Sequence, residues 1–140
     1  MTSQETALEP LTGYEGMCKH TENGRAVREL LDRVGDKWSL LIIGTLSAGK
    51  LRFSELHRHI PGISQRMLTL TLRNLERDGL VSRTVHAEVP PRVEYDLTEL
   101  GHTLIEPSRA LATWAMANQP AITAAREAFD RRERGGRSGA

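Results

Sequence analysis

The stretch Pro61–Thr98, PGISQRMLTLTLRNLERDGLVSRTVHAEVPPRVEYDLT, decides the fold, because it spells one amphipathic helix followed by two short strands. Ser64 stands just before a run carrying Leu68, Leu72 and Leu75, the i, i+4, i+7 spacing of a helix with one buried stripe. Serine is a favoured N-cap, since its hydroxyl accepts from an amide that has no helical partner. Gly79 supplies the stop. At about 100° per residue, Arg66, Arg73 and Arg77 fall in a narrow arc roughly opposite the leucines, with Thr69 beside them. One side of this helix is built to pack and the other is cationic.

Leu80 to Ala87 then alternates, with Val81 and Val85 on one side and Ser82, Thr84 and His86 on the other, which predicts a half-buried strand. Pro90 and Pro91 interrupt the pattern, and Arg92–Leu97 resumes it with Val93, Tyr95 and Leu97 in phase. Two such strands around a short Pro-containing tip form a hairpin wing.

Upstream, residues 1–22 lack sustained periodicity and contain the breakers Pro10, Gly13 and Gly16, so they are expected to be a mobile arm. A first helix is predicted from about Arg25 to Val34, with Val27, Leu30, Leu31 and Val34 as its buried stripe. A second runs from Trp38 to Leu46 on Trp38, Leu41, Ile42 and Leu46, closing at Ser47-Ala48-Gly49. A third, Phe53–Ile60, turns Phe53, Leu56 and Ile60 inward before Pro61-Gly62 forces a turn. Helix, turn, helix and hairpin make a mainly α fold with a small β wing, the winged helix-turn-helix, whose second helix of the pair enters a DNA major groove.

Downstream, Thr98 caps a longer helix in which Leu100, Leu104, Pro107, Leu111 and Trp114 keep the a/d rhythm of a helix that packs along a partner. Pro107 is expected to kink it near Glu106. Pro120 is expected to open a last helix with Ile122, Ala125 and Phe129 on one side, and residues 131–140, rich in Arg and Gly, to form a disordered tail. The domain then spans residues 23–130, with about 98–130 and the first helix serving dimerisation. A homodimer doubles the contacts and matches two half-sites about 34 Å apart.

With 140 residues, 39% of them hydrophobic, the chain suits a single domain. Apolar runs such as Leu40–Ile43 are far too short for a membrane span and nothing resembles a signal peptide, so a cytoplasmic protein is expected. The single cysteine, Cys18, excludes an internal disulfide and a Cys-rich zinc site. The formal charge of +1 is unevenly spread: Lys37 to Arg92 holds nine Lys/Arg against Glu55, Glu76, Asp78 and Glu88, a net of +5, and the remainder is −4. Such asymmetry lays a positive field where polyanionic phosphates dock. His57 and His59 diverge on a helix, and no catalytic triad, phosphate loop or paired acids emerge, so neither metal, cofactor nor enzymatic activity is expected.

With these residues in view, VGDKWSLLIIGTL (Val34–Leu46), LRFSELHRHIPGISQRMLTLTLRNLERDGLVSRTV (Leu51–Val85) and EVPPRVEYDLTELG (Glu88–Gly101) resemble the HxlR-type transcriptional regulators, a winged-helix group close to the MarR regulators. The likeness runs from about Ala26 to Ala117 in unbroken order. It implies a cytoplasmic homodimer that binds promoter DNA, often near its own gene. Repression is the default, because occupying a promoter needs no contact with polymerase.

On that reading, Gln65 and Arg66 in the first turn of the recognition helix (about 64–78) face base edges, each good pair discriminating by ~1–3 kcal/mol. Thr69 offers a hydroxyl or a methyl, and Arg73 reaches phosphate. Arg77 either joins them or pairs with Asp78 or Glu76. Ser64 either caps only or also meets a phosphate. Arg92, at the tip of the wing (about 80–97), is placed like the arginines that sense minor-groove width. Arg52 and Ser54 are candidate backbone contacts; Lys37 serves either DNA or helix packing.

Leu100, Leu104, Leu111 and Trp114 are the expected dimer interface. Cys18 is a candidate thiol sensor with Lys19 and His20 beside it, though it departs from the cysteine followed by proline that sensing members of the family carry, and an incidental thiol is the alternative. An oxidant or a small apolar effector between the winged body and the dimer helices would be the regulatory partner. A winged helix that binds a protein instead of DNA is the rival.

Overall fold

From Glu22 to Ser138, the residues that the computed structural model describes, the chain runs α1 (Glu22–Val34), α2 (Lys37–Leu46), β1 (Leu51–Arg52), α3 (Phe53–His59) and α4 (Gln65–Arg77). It continues through β2 (Val81–His86), β3 (Arg92–Leu97), α5 (Glu99–His102) and α6 (Ile105–Ser138). The arm of residues 1–21 and Cys18 within it lie outside the described residues.

The helix of the quoted stretch starts and stops where its end residues dictate. Ser64 Oγ accepts the Met67 amide at 3.0 Å. At the other end Gly79 adopts φ +77°, so the Leu80 amide can reach the Leu75 carbonyl at 2.9 Å and the Gly79 amide the Glu76 carbonyl at 3.0 Å. The Asp36 carboxylate caps α2 by accepting from the Ser39 amide at 3.2 Å. Thr98 caps α5 by accepting from Gly101 at 3.0 Å, and its hydroxyl donates to the Gly79 carbonyl at 2.5 Å, tying the end of the wing to the end of α4.

The core lies where these helices meet the base of the sheet. Ile42, Ile43 and Leu46 of α2, Leu56 of α3 and Leu68, Leu72 and Leu75 of α4 are buried together with Val81, Tyr95 and Leu97. The sheet is antiparallel in the order β1-β3-β2, with Val81 opposite Leu97, Arg83 opposite Tyr95 and His86 opposite Arg92. β1 makes the hairpin three-stranded, pairing Leu51 with Tyr95; two residues leave too short a pattern to be seen in a sequence.

Several expectations are corrected. In α2 the second core isoleucine is Ile43, while Leu41 is half exposed. Leu30 and Leu31 of α1 are also half exposed: α1 meets the body mainly through its last turn, where Arg33 bridges to Asp78 at 3.0 Å. Val85, expected on the buried side with Val81, is exposed on the edge strand β2, while Val93 opposite it on the central strand packs against the core.

No continuous helix runs from Thr98. α5 ends at His102, and Pro107 sits in the first turn of α6, where an amide has no helical acceptor and its loss costs nothing. Pro120 does not open a helix but lies inside α6, where it removes the amide that would bond the Met116 carbonyl. Residues 131–138, expected as disordered tail, are the last turns of that 34-residue helix. Leu100 and Leu104 therefore do not share a helix with Leu111 and Trp114, and Leu104 packs on the core instead.

Candidate nucleic-acid interface

Burying Leu68, Leu72 and Leu75 turns the other side of α4 to solvent, and Gln65, Arg66, Thr69, Arg73 and Arg77 are all exposed. Among the described residues none of Arg66, Arg73 and Arg77 has an ion-pair partner. Asp78, the acid next to Arg77, is held by Arg33, whose Nη1 also donates to the Asn74 carbonyl at 3.5 Å. The pairing with Asp78 or Glu76 considered for Arg77 is absent.

The two hydroxyls in this row are partly engaged. Thr69 Oγ1 donates to the Gln65 carbonyl at 2.8 Å, which leaves its lone pairs and its methyl facing out. Ser64 accepts the Met67 amide and keeps its own proton for a donor role. Gln65, Arg66, Thr69 and Arg73 line one hollow of about 490 Å³ with Phe53 and Leu70. Arg52 and Ser54 line a neighbouring one of similar size against Glu88–Val93, so the start of α3 connects the recognition helix to the wing tip. The Arg52 amide donates to Glu55 at 2.9 Å while its side chain stays exposed. Lys37 Nζ lies 4.4 Å over the Trp38 ring, a packing role.

Arg92 is the residue most misjudged from the sequence. Its Nε is 3.0 Å from Glu94 Oε1, without the alignment of a hydrogen bond, and Nη2 is 3.4 Å from Glu88. Glu94 also meets His86 Nε2 at 2.7 Å and Lys50 Nζ at 3.7 Å. Antiparallel register sets His86 opposite Arg92, and Glu94 follows on the same side of β3. Arg92 is thus half-buried in a neutralising cluster rather than offered at a tip.

Arg83 was missed. It is exposed, has no ion-pair partner among the described residues, and lines a hollow with Thr69 and Arg73 of α4. Its signal was its phase: it shares a strand side with Val81 and Val85, so a charge there marks where the buried side of β2 ends.

A separate, mostly apolar cleft of about 630 Å³ lies between α2 and α6, with Leu40, Leu41, Ile105 and Ala112 in its walls. Ser108 Oγ is buried beside it and has no hydrogen-bond partner among the described residues. Among the described residues no cluster of His, Cys, Asp and Glu is placed to hold a metal, and no helix is long and apolar enough to cross a membrane.

A helix-turn-helix with a basic, outward-facing second helix and a three-stranded wing defines the winged-helix DNA-binding regulators. The chain belongs to the HxlR-like helix-turn-helix family, whose model matches residues 33–123. It is 54% identical over 89 residues, 64% of this chain and 68% of the other, to an HTH-type transcriptional regulator of Methanothermobacter thermautotrophicus. Among solved structures it resembles the transcriptional regulator ytfH of Salmonella typhimurium, with TM-score 0.68 and 42% identity over 72% of this chain and 90% of that one. It also resembles the redox regulator HypR in its reduced form, with TM-score 0.65 and 43% identity over 71% of this chain and 98% of the other. The chain is accordingly a transcriptional regulator with a helix-turn-helix DNA-binding domain, and its family is one of regulators, not enzymes.

Proposed function

We propose that the protein is a cytoplasmic, homodimeric repressor that lays α4 in the major groove of promoter DNA and sets its wing against the flanking backbone. The observation that carries this reading is the exposed row Gln65, Arg66, Thr69, Arg73 and Arg77, whose arginines have no acid to satisfy them among the described residues. Gln65 and Arg66 in the first turn address bases; Arg73, Arg77, Arg52 and Ser54 address phosphates. Dimerisation is supported by α6, where Leu111, Trp114 and Phe129 are 50%, 57% and 53% exposed along one side of the helix. The half-exposed Leu30 and Leu31 of α1 extend the same requirement for a partner. Repression follows from occupancy, and an effector entering the cleft between α2 and α6 would alter the angle between the winged body and the dimer helix.

Fluorescence anisotropy on the intergenic duplex upstream of the gene, repeated across KCl concentrations, tests the DNA reading. Affinity should fall steeply with salt, by a log–log slope of about −0.9 per phosphate neutralised. Arg66→Ala and Arg73→Ala should each weaken binding. A flat salt response with both variants at wild-type affinity would favour the protein-binding rival. A footprint that avoids the promoter would remove repression by occupancy.

A second reading, response to oxidants through Cys18, is favoured by the likeness to HypR, solved in both reduced and oxidised forms. Diamide should release wild-type protein from DNA but not a Cys18→Ser variant; release of both acquits the cysteine.

A further inference from the structure

We propose that the hollow between α4 and β2, walled by Thr69, Arg73, Arg83 and Tyr95, seats one phosphate of the DNA backbone. On this view Arg83, not Arg92, is the wing's contact with the duplex. The inference rests on the DNA-binding reading above and deepens it.

Two arginines from different elements converge on this hollow of about 290 Å³, and neither has an ion-pair partner among the described residues. Two guanidinium groups facing one hollow against a single carboxylate leave it net positive, and an anion between them turns their mutual repulsion into attraction. Glu76 also lines the hollow but pairs with neither arginine, so the net charge of the lining remains positive. The floor is rigid: Tyr95 is only 9% exposed and stands opposite Arg83 in the strand register.

A phosphodiester suits these walls. It is a monoanion with two non-bridging oxygens, each able to accept from a guanidinium, so Arg73 of the helix and Arg83 of the strand can each take one. The contrast with Arg92 is chemical: Glu88 and Glu94 already occupy that guanidinium, and DNA would have to displace them. A phosphate held jointly by helix and wing would fix the register of α4 in its groove and add affinity without reading sequence.

The test measures affinity for specific and unrelated duplexes over a KCl series, using wild type, Arg83→Ala, Arg83→Lys and Arg92→Ala, with circular dichroism melts as a folding control. Arg83→Ala should weaken both duplexes equally, by about tenfold, and reduce the salt slope by about one unit. Arg83→Lys should restore the slope, and Arg92→Ala should stay within about twofold of wild type. Methylphosphonate scanning should find one position whose neutralisation weakens wild type clearly more than it weakens Arg83→Ala, in which Arg73 alone still meets that phosphate. If Arg83→Ala keeps the wild-type slope, or no position shows that difference, the clamp is wrong although DNA binding stands. If wild type fails to bind duplex at all, the underlying reading falls with it. Saturable calorimetric binding of inorganic phosphate alone, lost in Arg73→Ala, would give the hollow to a free anion and overturn the backbone assignment.

Discussion

α4 and α6 carry apolar residues at comparable helical spacing, yet those residues meet opposite fates. Leu68, Leu72 and Leu75 of α4 are sealed against α2, α3 and the base of the sheet. Leu111, Trp114 and Phe129 of α6 remain about half exposed along a helix of 34 residues, roughly 51 Å at 1.5 Å per residue. Only the start of α6 lies against α2; the rest extends past the body. The comparison teaches that the winged body completes its own core, whereas α6 carries an apolar stripe that the described residues leave half exposed. A surface of this kind gains most from an identical copy, which offers the same stripe by symmetry.

The contrast breaks first at Leu75. Leu75→Ala should lower unfolding free energy by about 2–5 kcal/mol, because the sealed core cannot collapse fully around the lost atoms. Urea melts check this, and a loss below 1 kcal/mol would mean that α4 is packed no better than α6. Next, the pair Leu111→Glu and Trp114→Glu should yield a folded monomer by light scattering. Its affinity for a duplex with two half-sites should drop about a hundredfold, the loss of a second tethered contact. A variant that stays dimeric would place the interface away from this stripe.

Gly101→Ala sharpens the boundary between the two regions. An added Cβ would overlap the Leu80 backbone carbonyl at the joint where the wing returns to α5. A cost of about 1–3 kcal/mol in thermal melts is expected, and an unchanged melt would mean the joint is slack. Smallest is Ser64→Ala, which removes the cap on Met67 and should cost about 1 kcal/mol. Full stability in that variant would mean that the cap adds nothing measurable to α4.

How much was legible depends on how local each feature is. The boundaries of α4 were readable because a serine cap, a leucine period and a left-handed glycine act within a few residues of one another. The leucines of α1 and Leu41 were overread, since a helical stripe shows a wish to be buried and not a neighbour to bury it. Both prolines of the C-terminal region were misplaced in effect: Pro107 falls where the backbone lacks an acceptor anyway, and Pro120 falls inside a helix that continues past it. In the candidate interface, the exposure of Arg66 and Arg73 was legible from their angle about the helix. The ion pairs around Arg92 and the openness of Arg83 were not legible, because their surroundings are set by cross-strand register, which joins residues about ten positions apart.

By itself the sequence determined the order of helices and wing strands from α1 to β3 apart from the short β1, the caps at Ser64 and Thr98, the leucine side of α4 and the arginine side opposite it, because these follow from backbone periodicity and short-range hydrogen bonding. Tertiary structure alone decided which cations stay available: Glu88 and Glu94 fold onto Arg92, Arg33 takes Asp78, and Arg83 is carried beside Arg73. The physical reason is that a charge is satisfied or left open by whatever the fold brings within about 4 Å, and that distance is not written along the chain.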